Sequence, residues 1–377
     1  MGTSVKTQSE IGAASQMEEA LELARQGRGL TSPNPTVGAV VSRNGQVVGR
    51  GFHTWVGRDH AEIVALGEAG EGARGATLFV TLEPCSHQGR TAPCVNAIIA
   101  AGVTRVVAAM QDPNPLVSGQ GFAKLREAGI EVEVDDAHTA EAEWLNEPFH
   151  HFMKTGRPLV TIKAALTLDG KIAAAQDNVG WITSEVARAN VQQVRHYSDA
   201  ILTGLGTVRE DDCLLTDRSG RERSRPLLRI VLDSQLRIPL TSKMVTSANG
   251  DVMVVGTSVA PVERRKALEA AGIRVLIADG AGGRTDPQKV LDYLAKERYL
   301  SLMVEAGSKV NWTMLDSGIA DKVLFYYAPK VLGGLSSLPV AGGQGRMRRA
   351  DAILLDRLTI HPVSKNEFAV EAYVVKE

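Results

Sequence analysis

The sequence predicts an α/β protein of two domains. Three observations predict it. Helix-period and strand-period stretches alternate along most of the chain, Gly156-Arg157-Pro158 interrupts the alternation, and the motifs on its two sides do not resemble each other. The chain has 377 residues, enough for two to three domains of about 150 and for real cores.

Residues 1–15 are small and polar and are expected to be frayed. Met17, Ala20, Leu21 and Ala24 recur at helical spacing and open a helix, and SPNP (32–35) is a loop. Val37–Val41 and Gln46–Val48 read as strands joined by Asn44-Gly45, a strong hairpin signal. A helix over His60–Leu66, a strand over 76–82 and a helix from Pro93 to Gly102 follow. TRVVAAM (104–110) and IEVEV (130–134) are strands separated by the helix FAKLREAG, and a helix spans about 139–154.

The alternation then restarts. Leu159–Ala164 is a strand, and Ser184 N-caps a helix reaching about His196. Strands are expected at Ala200–Thr203, Leu228–Leu232, Val252–Val255, Arg274–Ile277 and Leu302–Glu305, with helices at 262–271 and 286–297. KVLFYYAPKV and FAVEAYVV end the chain in strand-rich sequence.

The 42 Lys and Arg against 43 Asp and Glu give a net charge of −1, which argues against a generally basic nucleic-acid-binding surface. Three cysteines are too few for a disulfide framework and suggest a reducing compartment. The N-terminus lacks an apolar signal core, Lys6 stands where a myristoylation motif needs Ser or Thr, and no apolar run reaches membrane-spanning length. The expectation is a soluble cytoplasmic protein with no membrane and no nucleic-acid partner.

The sharpest chemistry is His60-Ala61-Glu62 followed by Glu83-Pro84-Cys85 and Cys94. Imidazole and thiolate are preferred zinc ligands, and catalytic zinc keeps three protein ligands and a water. His60, Cys85 and Cys94 supply that number, and the two thiolates balance the charge of Zn²⁺. Activated water could then attack an amidine-like carbon, with Glu62 as proton shuttle. Residues two apart on a helix do not share a face, so His60 and Glu62 converge only if the metal lies off the first turn. Pro93-Cys94 would open the next helix, where free N–H groups favour a thiolate. His53 and His87 are competing ligands: His87 reads better as a loop or substrate residue, and His53 as a surface residue or substrate contact. Asn34, between two prolines, is either a turn residue or a substrate contact.

HAE, TLEPCSHQGRTAPC, SPNPTVGAVV and GFHTWVGRDHAE together resemble the deaminase half of the bifunctional deaminase-reductase family of bacterial riboflavin biosynthesis. Eight residues separate Cys85 from Cys94, longer than the generic P-C-x-x-C of zinc deaminases, but a long loop is normal in this family. The resemblance implies a cytidine-deaminase-like α/β/α domain (16–155) with one zinc ion. It would remove the ring amine of 2,5-diamino-6-(5-phosphoribosylamino)pyrimidin-4-one, with Asn34 at the pyrimidine-contacting position.

In the second half, Gly204-Leu205-Gly206 lacks the third glycine of a dinucleotide fingerprint. Gly307-Ser308 offers free N–H groups at a helix start, suited to a phosphate. KAALTLDGKIA, GWITS, RHYSDAILTGLGTVREDD, RIVLDSQ and MVEAGSKVNWTML resemble the reductase half of the same family, extending the likeness over 17–377. The resemblance implies a dihydrofolate-reductase-like α/β domain (156–377) that uses NADPH to reduce the ribosyl chain to ribityl. Its cofactor positions fall on Ala165, Trp181, Thr207, Asp211, Ser234, Gly307, Ser308 and Lys309. Its substrate positions fall on Arg195, Leu215, Arg218 and Glu305, with Arg195 and Arg218 suited to clamp a phosphate, and Lys163 in KAALTLDG is read as a substrate-binding polar or protonating residue near the sugar. Taken singly, each Arg or Lys reads as a solvated charge and Trp181 as core. Val179, Cys213 and Ser308 depart from the family pattern, and Cys213 reads as packing. The family also implies a homo-oligomer, a dimer or tetramer. A nucleic-acid base deaminase, a closed structural zinc module and a deaminase with a regulatory second half remain as competing readings.

Overall fold

The structure, a computed structural model, describes residues 8–55, 57–87, 92–176 and 180–376; Val179 lies outside them. The chain divides into two units, residues 1–156 and 157–377.

In the first unit, helix α1 (Gln8–Gln26) begins well before Met17, so residues 8–15 are helical rather than frayed. Strands β1 (Gly38–Arg43) and β2 (Gln46–Phe52) form the expected hairpin, with φ of 52° at Asn44 and 81° at Gly45. β2 continues past Val48 through Gly49 and Gly51, which read as strand breakers in isolation. Their smallness is required by helix α2 (Ala61–Ala69): a Cβ at either glycine would lie 2.2 Å from a carbonyl oxygen of that helix. On the opposite face, a Cβ at Gly38 would lie 2.0 Å from Ala20 O of α1. The chain continues through β3 (Thr77–Val80), α3 (Cys94–Ala100), β4 (Arg105–Ala108), α4 (Gln120–Glu127) and β5 (Glu131–Val134). The strands run in the order β2-β1-β3-β4-β5, antiparallel at the hairpin end and parallel from β3 to β5. Helices on both faces make the α/β/α sandwich, and the alternation from helical to strand period reflects one core shared by the layers.

The helix expected over 139–154 is two helices, α5 (Asp136–Leu145) and α6 (Glu147–Thr155), broken at Asn146 (φ −105°, ψ 18°). Pro148 sits in the first turn of α6, where a missing N–H costs nothing, whereas inside one long helix its ring would clash with the preceding turn. The break leaves the Asn146 side chain buried and turned toward Thr36.

The second unit contains β6 (Leu159–Thr167), β7 (Lys171–Ala173), α7 (Glu185–Tyr197), β8 (Ala200–Gly204), α8 (Leu205–Asp211), β9 (Leu228–Leu232), α9 (Lys243–Thr246) and β10 (Val252–Gly256). It continues with α10 (Val262–Ala270), β11 (Arg274–Ile277), α11 (Pro287–Lys296), β12 (Ser301–Val304), α12 (Ser308–Asp316), β13 (Lys322–Ala328), β14 (Leu338–Pro339), β15 (Leu355–Pro362) and β16 (Phe368–Val374). Ser184 caps α7 as expected, its hydroxyl accepting from Ala187 N at 3.3 Å. The main sheet has the order β11-β10-β9-β8-β12-β6-β13-β16-β15, parallel from β11 to β13 and antiparallel at β16 and β15. Separate apolar clusters cover its two faces. The chain runs outward from β8 to β11, then β12 returns between β8 and β6. That reversal opens a crevice at the carboxyl ends of β8 and β12, the usual ligand position in open α/β sheets.

Candidate active sites

The first site forms where α2 and α3 begin. His60 is the N-cap of α2 in extended conformation (φ −71°, ψ 161°), so it stands off the helix while Glu62 lies in the first turn. This resolves the geometric conflict of two residues only two apart. Pro93 is the N-cap of α3 and Cys94 its first residue, and Cys94 N donates to Cys85 Sγ at 3.3 Å. His60 Nδ1 lies 3.2 Å from Cys94 Sγ and 3.6 Å from Cys85 Sγ, and the three ligand atoms all lie within 4.8 Å of one another. Two sulfurs and one imidazole at that separation fit a zinc ion with three protein ligands. The Cys85 thiol is pulled down to about 4, first by the Cys94 side chain, against the cost of burial, then by His60 and the Cys94 N–H. Glu62 is buried beside the sulfurs, and burial, then the Cys85 charge, pushes it up to about 7. A carboxyl poised there suits proton transfer at neutral pH.

His53 is buried, with Nδ1 3.1 Å from Asp59 O and Nε2 3.1 Å from Asn34 Nδ2, so both ring nitrogens already have partners. Its ring meets the His60 ring edge-on at 5.2 Å, and burial lowers its pKa. Asn34 thus reaches the site through His53. His87 is exposed and is not part of the ligand cluster. Sequence reasoning passed over Glu83 except as part of the motif. Its buried carboxylate accepts from the backbone N–H groups of Asp112 (3.0 Å), Gly119 (2.9 Å), Gly121 (2.8 Å) and Phe122 (3.3 Å). It ties the loop leading to Cys85 onto the start of α4. The signal for it was a charged residue at the end of an otherwise apolar strand.

The second site lies on one face of the second unit's sheet. Parallel pairing puts Ile162, Val304 and Leu202 in one row across β6, β12 and β8, and Lys163, Glu305 and Thr203 are the residues that follow them. Lys163 Nζ is 3.1 Å from Glu305 Oε1, and Arg195 of α7 gives Nε (3.1 Å) and Nη2 (2.9 Å) to Glu305 Oε2. Arg195 Nη1 also donates to Thr216 O at 3.1 Å, so this arginine is tied to the protein rather than standing free. Burial would raise the Glu305 carboxyl, but Lys163 and Arg195 outweigh it and hold it at about 2. Leu215 is buried nearby in sequence with φ of 50°, an unusual conformation for a branched residue. The Arg218 side chain is exposed.

At the crevice, α8 and α12 start from Gly204 and Gly307, N-caps without side-chain partners. A Cβ at Gly307 would lie 3.7 Å from Thr207 Oγ1, so Thr207 and Gly307 are brought together there. Two helix starts without side-chain caps at a topological switch fit a dinucleotide phosphate. The Asp211 carboxyl is raised by burial, then by Glu210 and Glu305, and Ala165 pairs with Tyr326 on the adjacent strand. Ser234 Oγ accepts from Thr285 N at 3.1 Å. The Ser308 hydroxyl donates to Pro339 O and its carbonyl accepts from Gly342 N, so this side chain ties down the following loop, while Lys309 is exposed. Trp181 is 70% exposed, stacked under the Arg188 guanidinium at 5.0 Å, and is not core. Cys213 packs beside the apolar cluster, and burial, then Asp211, pushes its thiol up to about 11, as suits a packing residue.

Residues 13–110 match the cytidine and deoxycytidylate deaminase zinc-binding region, and residues 158–360 match the RibD C-terminal domain. The riboflavin biosynthesis protein RibD of Bacillus amyloliquefaciens is 43% identical over 329 residues, covering 87% of this chain and 88% of that protein. The Escherichia coli K12 protein of the same description is 42% identical, covering 86% of this chain and 90% of its own. Among solved structures, Acinetobacter baumannii RibD superposes with a TM-score of 0.85 at 36% identity, covering 97% of this chain and 99% of that one. A Thermotoga maritima diaminohydroxyphosphoribosylaminopyrimidine deaminase/5-amino-6-(5-phosphoribosylamino)uracil reductase gives 0.82 at 34%, with the same coverage. With a zinc-deaminase fold in one unit and a reductase fold in the other, the chain belongs to the RibD family, the bifunctional deaminase-reductases of riboflavin biosynthesis.

Proposed function

We propose that residues 16–155 deaminate 2,5-diamino-6-(5-phosphoribosylamino)pyrimidin-4-one and that residues 156–377 then reduce its ribosyl chain to ribityl. The observation that carries the first step is the gathering of His60, Cys85 and Cys94 with Glu62 buried against them. Zinc held by these three residues supplies Lewis acidity that activates a water. Glu62 would take a proton from the attacking water and pass it to a ring nitrogen, then take the remaining proton of the added hydroxyl and deliver it to the leaving amine. Asn34, oriented by His53, contacts the pyrimidine.

For the second step, NADPH supplies the hydride. Thr207, Asp211, Ser234 and the segment Gly307, Ser308 and Lys309 form the cofactor's side of the crevice, with Ala165 and Trp181 completing it. Lys163, held by Glu305 at 3.1 Å, presents Nζ to the sugar. Arg218, exposed, serves the phosphate with Leu215 close in sequence, while Arg195, expected to share that role, is committed to Glu305 and Thr216 O and holds the ion-pair network in place. The enzyme works in the cytoplasm. Its three cysteines are free thiols, and no helix among the described residues is long and apolar enough to cross a membrane. It assembles as a homo-oligomer through the reductase unit: β15 is exposed along its whole length at the sheet edge, with Leu355, Leu358 and Ile360 uncovered. Light scattering on the purified protein tests this, and a monomer at micromolar concentration refutes it.

Glu62→Gln tests the catalytic assignment. The variant is expected to keep one zinc per chain and to lose deamination by about 1,000-fold or more, while NADPH oxidation with supplied deaminated intermediate is unchanged. Loss of both activities together refutes separate sites.

A further inference from the structure

We infer that Asn146 is a positioning residue for deamination, acting through the loop that carries Asn34. Its side chain pairs with Thr36 as a strand neighbour would: Oδ1 accepts from Thr36 N at 2.7 Å, and Nδ2 donates to Thr36 O at 2.9 Å. The two residues are 110 positions apart, and Asn146 is 3% exposed, so both bonds are shielded from water. The Thr36 hydroxyl also meets the Thr31 hydroxyl at 3.1 Å, and Asn34 N donates to Thr31 O at 2.8 Å. Residues 31–36 are therefore closed on themselves at one end and fastened to the α5–α6 break at the other.

The consequence falls on Asn34. His53 Nδ1 faces the Asp59 carbonyl at 3.1 Å and donates to it, which leaves Nε2 to meet the Asn34 side chain at 3.1 Å. Asn34 must present Nδ2 to it, which turns Oδ1 away; Oδ1 has no hydrogen-bond partner among the described residues. That oxygen is an acceptor held ready for an N–H donor of an aminopyrimidine. The Thr36 anchor holds the end of the loop, and the Asn34–His53 bond holds the side chain itself. No other residue type would do this at 146: the site needs one donor and one acceptor on a short planar group, at a point where the helix is already broken. The inference rests on the reading of Asn34 as a pyrimidine contact.

The test uses the full-length zinc-loaded enzyme with Asn146→Ala, Asn34→Ala and the double variant, measuring KM and kcat for deamination, zinc content, and NADPH oxidation with supplied intermediate. Asn146→Ala is expected to raise the deamination KM about tenfold, with kcat changed by less than about threefold. Zinc content and the reductase rate should stay at wild-type values. The double variant should show no further rise over Asn34→Ala, since both act through one contact. Should Asn146→Ala fail to fold, Asn146→Asp keeps the volume and the acceptor for Thr36 N but sets an acceptor against Thr36 O, and the same KM rise is expected. A raised KM in Asn34→Ala with an unchanged KM in the 146 variants overturns the inference and leaves the Asn34 reading intact. An unchanged KM in Asn34→Ala overturns both. Loss of zinc, or a fall in kcat as large as the fall in kcat/KM, also overturns it, because Asn146 would then support the scaffold as a whole.

Discussion

Replacing Gly51 by alanine moves the catalytic helix. A Cβ at Gly51 would sit 2.2 Å from Ala61 O, 2.6 Å from Ala65 N and 2.9 Å from Val64 Cβ. Real Cβ contacts essentially never fall below 3.0 Å, so α2 must shift from β2 by about 0.8 Å or more. Two of the three atoms are backbone, so no side-chain rotation relieves the clash. Ala61 lies between His60 and Glu62, and the displacement is therefore delivered to the metal ligand and the proton shuttle together. Overpacking of this kind costs about 1–3 kcal/mol, and misplacement by about 1 Å can cost on the order of 100-fold in rate. The assays are deamination rate, zinc content and thermal unfolding, with NADPH oxidation on supplied intermediate as the unaffected reference. Gly67 is the control on the same helix, because a Cβ there meets nothing within 4 Å. Gly67→Ala should stabilise by about 0.5–1 kcal/mol and leave deamination unchanged. Wild-type deamination and zinc content in Gly51→Ala would refute the claim that close approach of β2 sets the position of α2.

Glu83→Gln turns an NH₂ group toward backbone donors, and should destabilise the protein by about 3 kcal/mol and weaken zinc retention against a chelator; unchanged zinc affinity contradicts the role given to its four N–H contacts. Glu305 is held at about 2 in the folded protein, below the ordinary carboxylate value of about 4.3, so its ion pairs stabilise the fold above that value, and this contribution is lost as pH falls from about 4.5 toward 2. The unfolding free energy of wild type should exceed that of Glu305→Gln by up to about 3 kcal/mol at pH 7, and the gap should close near pH 2 in denaturant titrations. A gap independent of pH shows that the carboxylate charge is not what Lys163 and Arg195 stabilise.

Much of the molecule was legible from local chemistry. The Asn44-Gly45 hairpin, the Ser184 cap and the start of α3 at Pro93-Cys94 each depend on a few neighbouring residues whose backbone preferences act wherever they are placed. His60, Cys85 and Cys94 could be chosen as zinc ligands because few side chains bind that ion, so residue type alone narrows the choice. Other features became legible only through contacts between distant segments. The strand expected to end at Val48 runs on through Gly49 and Gly51 because a helix is pressed against them. Asn146 looked like the middle of a long helix until Thr36 supplied its partner. Ser308, chosen as a cofactor residue, has its hydroxyl bound to Pro339 O, and Arg195, chosen for a phosphate, lies against Glu305. Sequence therefore determined the two α/β patterns and the chemically specialised ligands, because short-range conformational preference and ligand chemistry reside in the residues themselves. The tertiary structure decided which polar groups are satisfied by one another and which still face a ligand, because pairing depends on what folding brings within about 3 Å.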